Sequence, residues 1–149
     1  MTLKEQLFHH CVNILTERIE QAATAMQEAQ NSANSETKSS AGDKYETGRA
    51  MAHLDKERHT RRHAAALDAL TRLHRLRPDG VMMEIELGAL VETNLGWYYL
   101  TVGIGEVEIE NIVVQVSSPE SPIGTLLLEL EVGDVDDFRG REIEILSVY

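Results

Sequence analysis

The 149-residue chain has one cysteine, three prolines and few aromatic side chains. Cys11 cannot form an internal disulfide, so a reducing, cytoplasmic setting is expected. Aromatic residues make up 5% of the chain, which argues against a large aromatic-lined pocket. No run of about 18 apolar residues occurs, so no membrane span is expected. The start, Met1-Thr2-Leu3-Lys4-Glu5-Gln6, lacks the apolar core of a signal segment. Histidine is missing from residues 78–149, and so is cysteine. That part of the chain therefore lacks the commonest general base and the softest metal ligand, which argues against a free-standing enzyme there.

Basic side chains are also scarce in that part. Residues 78–149 carry 2 basic against 15 acidic side chains, whereas residues 36–77 carry 10 basic against 6 acidic, within a net charge of −11. Such asymmetry suggests two surfaces facing two environments: a basic middle near nucleic acid and an acidic end near a basic protein surface. The plainer alternative is that the acidic groups serve solubility.

What is present in the first half is helical periodicity. Phe8, Val12, Leu15, Ile19, Ala22, Met26, Ala29 and Ala33 recur in steps of four and three, an a/d seam without an intervening Pro or Gly. A helix from Leu3 to Ala33 would be roughly 45 Å long. Asn31, Ser32, Asn34 and Ser35 then weaken helicity. A second helix is expected from Asp43 or Tyr45 to Leu76, with Met51, Leu54, Ala66, Leu67, Leu70, Leu73 and Leu76 as its apolar face. Arg77-Pro78-Asp79-Gly80 ends it. His59 and His63 sit i, i+4, a spacing able to bind metal, but no acidic residue completes an HExxH pattern, so they are read as solvated or seam-packing, as are His9 and His10. The seam predicts an antiparallel hairpin within one chain, hence a monomer; pairing between chains is the alternative.

After Gly80 the pattern becomes strand-like. Val81–Leu87 alternates in part and reads as a strand or the approach to one; strands are expected at Ala89–Thr93, Trp97–Val102, Glu106–Ile109, Ile112–Val116 and Glu142–Val148. Asn94-Leu95-Gly96 reads as a turn. Pro122–Glu129 reads as a short helix with Ser121 as N-cap and Pro122 at N1. The fold class is α+β: a helical coiled-coil hairpin over residues 1–77, then a small antiparallel sheet with one short helix over residues 78–149.

Between the helices lies Ser39-Ser40-Ala41-Gly42-Asp43-Lys44-Tyr45-Glu46-Thr47-Gly48. Asp43 and Glu46 have the i, i+3 spacing of a helix capping box. At an exposed apex the same two carboxylates suit a hard cation whose other ligands come from elsewhere.

Gly42-Asp43-Lys44-Tyr45-Glu46 resembles the Gly-Asp-x-x-Glu at the coiled-coil tip of bacterial Gre-type transcript-cleavage (transcription elongation) factors. Ser121-Pro122-Ile123-Gly124 with Leu127, then Val132-Gly133-Asp134, resembles the Ser-Pro-Leu-Gly…Leu…Val-Gly-Asp segment of their C-terminal domain. Motif order and layout agree over nearly the whole chain. The resemblance implies an FKBP-like second domain that binds bacterial RNA polymerase, and a coiled coil that enters the polymerase secondary channel. It implies tip carboxylates, Asp43 and Glu46, that share a magnesium ion (Mg2+) with the polymerase, with none tightly bound alone. It also implies an accessory factor, not itself an enzyme, that stimulates cleavage of backtracked RNA, in a cytoplasmic and DNA-binding setting. Lys44, Arg49, Lys56, Arg58, Arg61 and Arg62 would then lie near nascent RNA. Ser121, Pro122, Ile123, Gly124, Gly133 and Asp134 would be structural or near the polymerase contact. The chain departs from the family where Glu46 is followed by Thr47-Gly48-Arg49-Ala50 in place of Asn-Ala-Glu-Tyr. A third acidic residue is missing, so a regulator that occupies the channel without promoting cleavage is the alternative.

Overall fold

The computed structural model describes residues 1–37 and 43–149, and within these the side chains of all but residues 36, 37 and 43–45. The elements are α1 (Leu3–Thr37), α2 (Asp43–His74), β1 (Leu90–Thr93), β2 (Gly96–Leu100), β3 (Gly105–Ile109), β4 (Ile112–Ser117), α3 (Pro122–Leu127), β5 (Val135–Phe138) and β6 (Arg141–Val148). The chain forms two compact units: a helical unit of residues 13–70, and a sheet unit of Met1–Val12 with Thr71–Tyr149.

In the helical unit α1 presents the expected seam. Leu15, Ala22 and Ala29 are buried, and Ile19, Met26 and Ala33 are half-buried between them. Lys56 of α2 donates from Nζ to Gln30 Oε1 of α1 at 2.5 Å, so the two helices run antiparallel side by side. α1 continues past Ala33 to Thr37. Two amide pairs support the extra turn: Gln27 Nε2 donates to Asn31 Oδ1 and Gln30 Nε2 to Asn34 Oδ1, both at 3.0 Å. Each i, i+4 pair adds about 0.2–0.5 kcal/mol, which offsets part of the weak propensity of asparagine and serine.

The inward face of α2 differs from the expected one. Met51, Leu54 and Leu67 are 56%, 55% and 49% exposed. The seam instead follows Ala52, Lys56, His59, His63, Ala66 and Leu70, with both alanines buried and the others half-buried. Steps of four and three connect these positions, so the heptad rule holds and only the choice of stripe changes. Small buried alanines on both helices (Ala22 and Ala29 on α1, Ala52 and Ala66 on α2) let the backbones approach closely there. His59 and His63 pack in this seam, one of the two roles expected for them.

In the sheet unit α1 begins with a capping box. Thr2 Oγ1 accepts from Glu5 N at 3.2 Å, and Glu5 Oε2 accepts from Thr2 N at 2.7 Å. α2 closes two residues before Leu76. Arg75 N and Leu76 N donate to Arg72 O and Leu73 O, tightening the last turn before Pro78.

The strand order is β3-β4-β2-β1-β6-β5. Every neighbouring pair is antiparallel except β2 and β4, which run parallel, so the sheet is mixed and not wholly antiparallel as expected. The cause is the β3–β4 hairpin: β3 takes the edge, and β4 folds back between β3 and β2. Glu110 and Asn111, with φ of 51° and 68°, form its two-residue turn, the geometry that matches strand twist. Of the two readings of residues 81–87, the structure shows the approach to β1 and not a strand; Val81 and Met83 are 83% and 87% exposed, and only Ile85 is buried. Both neighbours of β1 are already taken, by β2 and β6, so this segment cannot pair beside it. Conversely, Val135-Asp136-Asp137-Phe138, too acidic to read as a strand, pairs with β6 at the sheet edge.

One face of the sheet carries Val91, Leu100, Ile143 and Ile145 against Ile123 and Leu127 of α3. The strand registers place Leu90, Tyr99, Val107, Val114 and Val116 on the other face, all buried. Tyr99 lies close to Cys11 of α1; burial, and secondly Cys11, push its phenol above the ordinary value of 10.0.

Candidate functional site

The acidic pair belongs to the start of α2. The backbone of Asp43 is the first helical residue, and Glu46 is exposed one turn on. Residues three apart share a helix face, and the helix N-terminus favours negative charge. The Asp43 side chain, the Lys44 side chain and the Ser39-Ser40-Ala41-Gly42 stretch lie outside the described residues, and with them the choice between capping and cation binding at Asp43. Thr47 is exposed and Gly48 is half-buried.

The basic residues of α2 do not form one stripe. Arg61 points away from the seam, Arg58 and Arg62 share one flank, and Arg49 and Lys56 lie on the other, as 3.6 residues per turn requires. Arg49, Arg58, Arg61 and Arg62 are exposed. Arg58 pairs with Asp55 at 3.7 Å, an exposed i, i+3 contact worth a few tenths of a kcal/mol at most. Lys56 is engaged by Gln30. His53, Lys56, Glu57, Thr60 and Arg61 line a shallow groove of about 370 Å3. Among the described residues, no three His, Cys, Asp or Glu side chains come together as a metal cluster.

Each residue of the second motif has a local structural task. Ser121 caps α3: its Oγ accepts from Gly124 N at 3.1 Å and donates to Ser118 O at 2.7 Å. Pro122 occupies the first turn, where its missing N–H costs nothing. Ile123 is buried in the core. A Cβ on Gly124 would lie 2.1 Å from Ser118 O, so only glycine lets the 118–119 backbone pass. Gly133 adopts φ of 92° and donates from N to Ile145 O at 2.9 Å. Asp134 Oδ2 accepts from Glu131 N at 2.8 Å, closing the turn into β5. Pro122 and Asp134 remain exposed on the surface so built.

Lys4 is the residue that the sequence reading passed over. It is only 3% exposed, and it donates from Nζ to Gly80 O at 3.1 Å. A signal existed: the seam extended one step of four back from Phe8 lands on Lys4. No helix among the described residues is long and apolar enough to cross a membrane.

No family model matches the chain, and no curated protein matches it. Among solved structures, that of the transcription factor Gfh1 is similar over 93% of this chain and 92% of its own, at 24% identity and a TM-score of 0.38. A superposition at that level adds no weight, and the fold rests on the strand order and helix pairing described above.

Proposed function

We propose that the protein is a Gre-like accessory factor of bacterial RNA polymerase. Its helical hairpin enters the secondary channel, and Asp43 and Glu46 help hold a magnesium ion at the polymerase active site, so that backtracked RNA is cleaved. One observation carries the reading. Glu46 is exposed in the first turn of α2, three residues after Asp43, on a helical unit whose buried seam side chains, among the described residues, are alanine at four of five positions. A slim pair of helices, each of more than 30 residues, and so roughly 50 Å long at 1.5 Å per residue, suits insertion into a narrow channel.

Two carboxylates fit a hard cation but are too few to retain it alone, since magnesium demands six oxygen ligands. The polymerase would supply the rest. A magnesium ion so held activates water and offsets charge on the cleaved phosphodiester. The chain's own part is to deliver two oxygen ligands on a stiff support, while Arg49, Arg61 and Arg62 attract RNA phosphates. The surface built by Ser121, Pro122, Gly124 and Asp134 is the proposed docking site of the sheet unit on the polymerase, whose own surface there would be basic.

A second reading is favoured by Thr47 and Gly48: without a third acidic residue the factor occupies the channel and does not promote cleavage. A cleavage assay on a stalled, backtracked complex separates the two. Asp43→Asn should fold, still bind polymerase and lose most of the stimulation, because asparagine caps a helix about as well as aspartate but binds magnesium far less well. Unchanged cleavage by Asp43→Asn would sink the metal role. No cleavage by the natural chain, with polymerase still bound, selects the channel-occupying regulator.

A further inference from the structure

A cavity of about 460 Å3 lies within the sheet unit. Its lining includes Trp97, Tyr149 and Ile112 together with Lys4, Asp79 and Gly80. Trp97 and Tyr149 lie with ring centroids 5.9 Å apart at 32°. The chain is poor in aromatics, yet two of its few meet here. Volume and lining fall within the ordinary range of small-molecule sites: mostly apolar, with one or two fixed polar groups.

The fixed polar group is Lys4. A lysine is almost never buried unless paired, and an unpaired buried charge is costly. Of the three ammonium donors, one is used by Gly80 O. No carboxylate among the described residues lies within ion-pair distance of Nζ. Burial lowers the Lys4 pKa below 10.5, with Glu86 and Asp79 opposing from farther away. The ammonium therefore has two donors left, at the lining of an apolar, aromatic-walled space. Nothing in the proposed polymerase role uses this site.

We propose that this cavity binds a small amphipathic carboxylate: its ring-bearing apolar body lies against Trp97, and its carboxylate accepts hydrogen bonds from Lys4 Nζ. A charge-assisted bond of this kind is worth roughly tenfold or more in affinity over a neutral hydroxyl at the same place.

The probes are 3-phenylpropanoate and its neutral counterpart 3-phenylpropan-1-ol, titrated by calorimetry into the full chain. Trp97 is the only tryptophan, so its emission reports occupancy directly. The acid should bind saturably and about tenfold tighter than the alcohol. Lys4→Met should erase that ratio and keep the affinity for the alcohol. Gly80→Leu should weaken binding of both, because Gly80 lines the cavity and a Cβ there meets no atom within 4 Å, so the leucine adds bulk at the lining without a backbone clash. The ratio should also fall on raising pH toward 10.5, as Lys4 loses its proton. If Lys4→Met does not fold by thermal melting, the Gly80→Leu and pH arms decide. No saturable binding by either probe, equal affinity for both, or binding untouched by Gly80→Leu would overturn the proposal.

Discussion

The two units bury very different material. Of the buried apolar residues among those described, the helical unit holds Leu15, Ala22, Ala29, Ala52 and Ala66, four of them alanine; the others belong to the sheet unit. An alanine buries little area, so the helical unit gains little from each contact at about 25 cal/mol per Å2. It relies instead on helix propensity and on stems such as that of Lys56 lying across the seam. The sheet unit buries leucine, isoleucine, valine and tyrosine on both faces of one sheet. One unit is slim and weakly packed; the other is a conventional core.

The largest expected effect tests the core. Leu127→Ala, at a fully buried site against Ile143 and Ile145, should destabilise the chain by about 2–5 kcal/mol in urea unfolding. A loss below about 1 kcal/mol would show that α3 contributes little to the sheet unit and would erase the contrast.

Alkaline pH offers a second probe of the same unit. The Tyr99 phenol is held above its ordinary value of 10.0, first by burial. In the unfolded chain it ionises near that ordinary value, so above it the unfolded state binds fewer protons than the folded one. The Tyr99 contribution is therefore complete below pH 10 and is lost as pH rises further. Tyr99→Phe should flatten the fall of stability above pH 10, followed by thermal melting at stepped pH. An unchanged slope would show that other groups govern alkaline unfolding.

The helical unit should answer more mildly. Ala66→Gly, in the seam of α2, should cost about 1 kcal/mol from helix propensity and increase amide exchange through residues 13–70 more than through the strands. Equal exchange in both units would mean that they open together. The smallest effect belongs to Leu67→Gln. Leu67 is 49% exposed, so stability should move by less than about 0.5 kcal/mol. A loss of several times that amount would restore Leu67 to the seam and contradict the stripe through Ala66 and Leu70.

Much of this arrangement is legible in the residues. The α1 seam, the Ser121 cap with Pro122 after it and the paired acids Asp43 and Glu46 all depend on spacing within one element, and spacing is what a sequence displays. The stripe of α2 was misread because Met51, Leu54 and Leu67 are more apolar than Ala52, Lys56, His59 and His63. Hydrophobicity points to the large apolar side chains, but the stripe that faces α1 is the one that buries two alanines. β5 escaped for the opposite reason: its aspartates look like a loop, and only its partner β6 makes it a strand.

The amino-acid order thus determined the local matters by itself: helix starts, the four-three seam of α1 and the turn residues. Each depends on neighbours a few bonds away. Tertiary structure alone decided which α2 stripe faces α1, that β4 runs parallel to β2, and that Lys4 and Gly80, 76 positions apart, share a hydrogen bond beside Trp97. These depend on which surfaces meet and how closely, and close packing between distant segments leaves no periodic trace in either one alone.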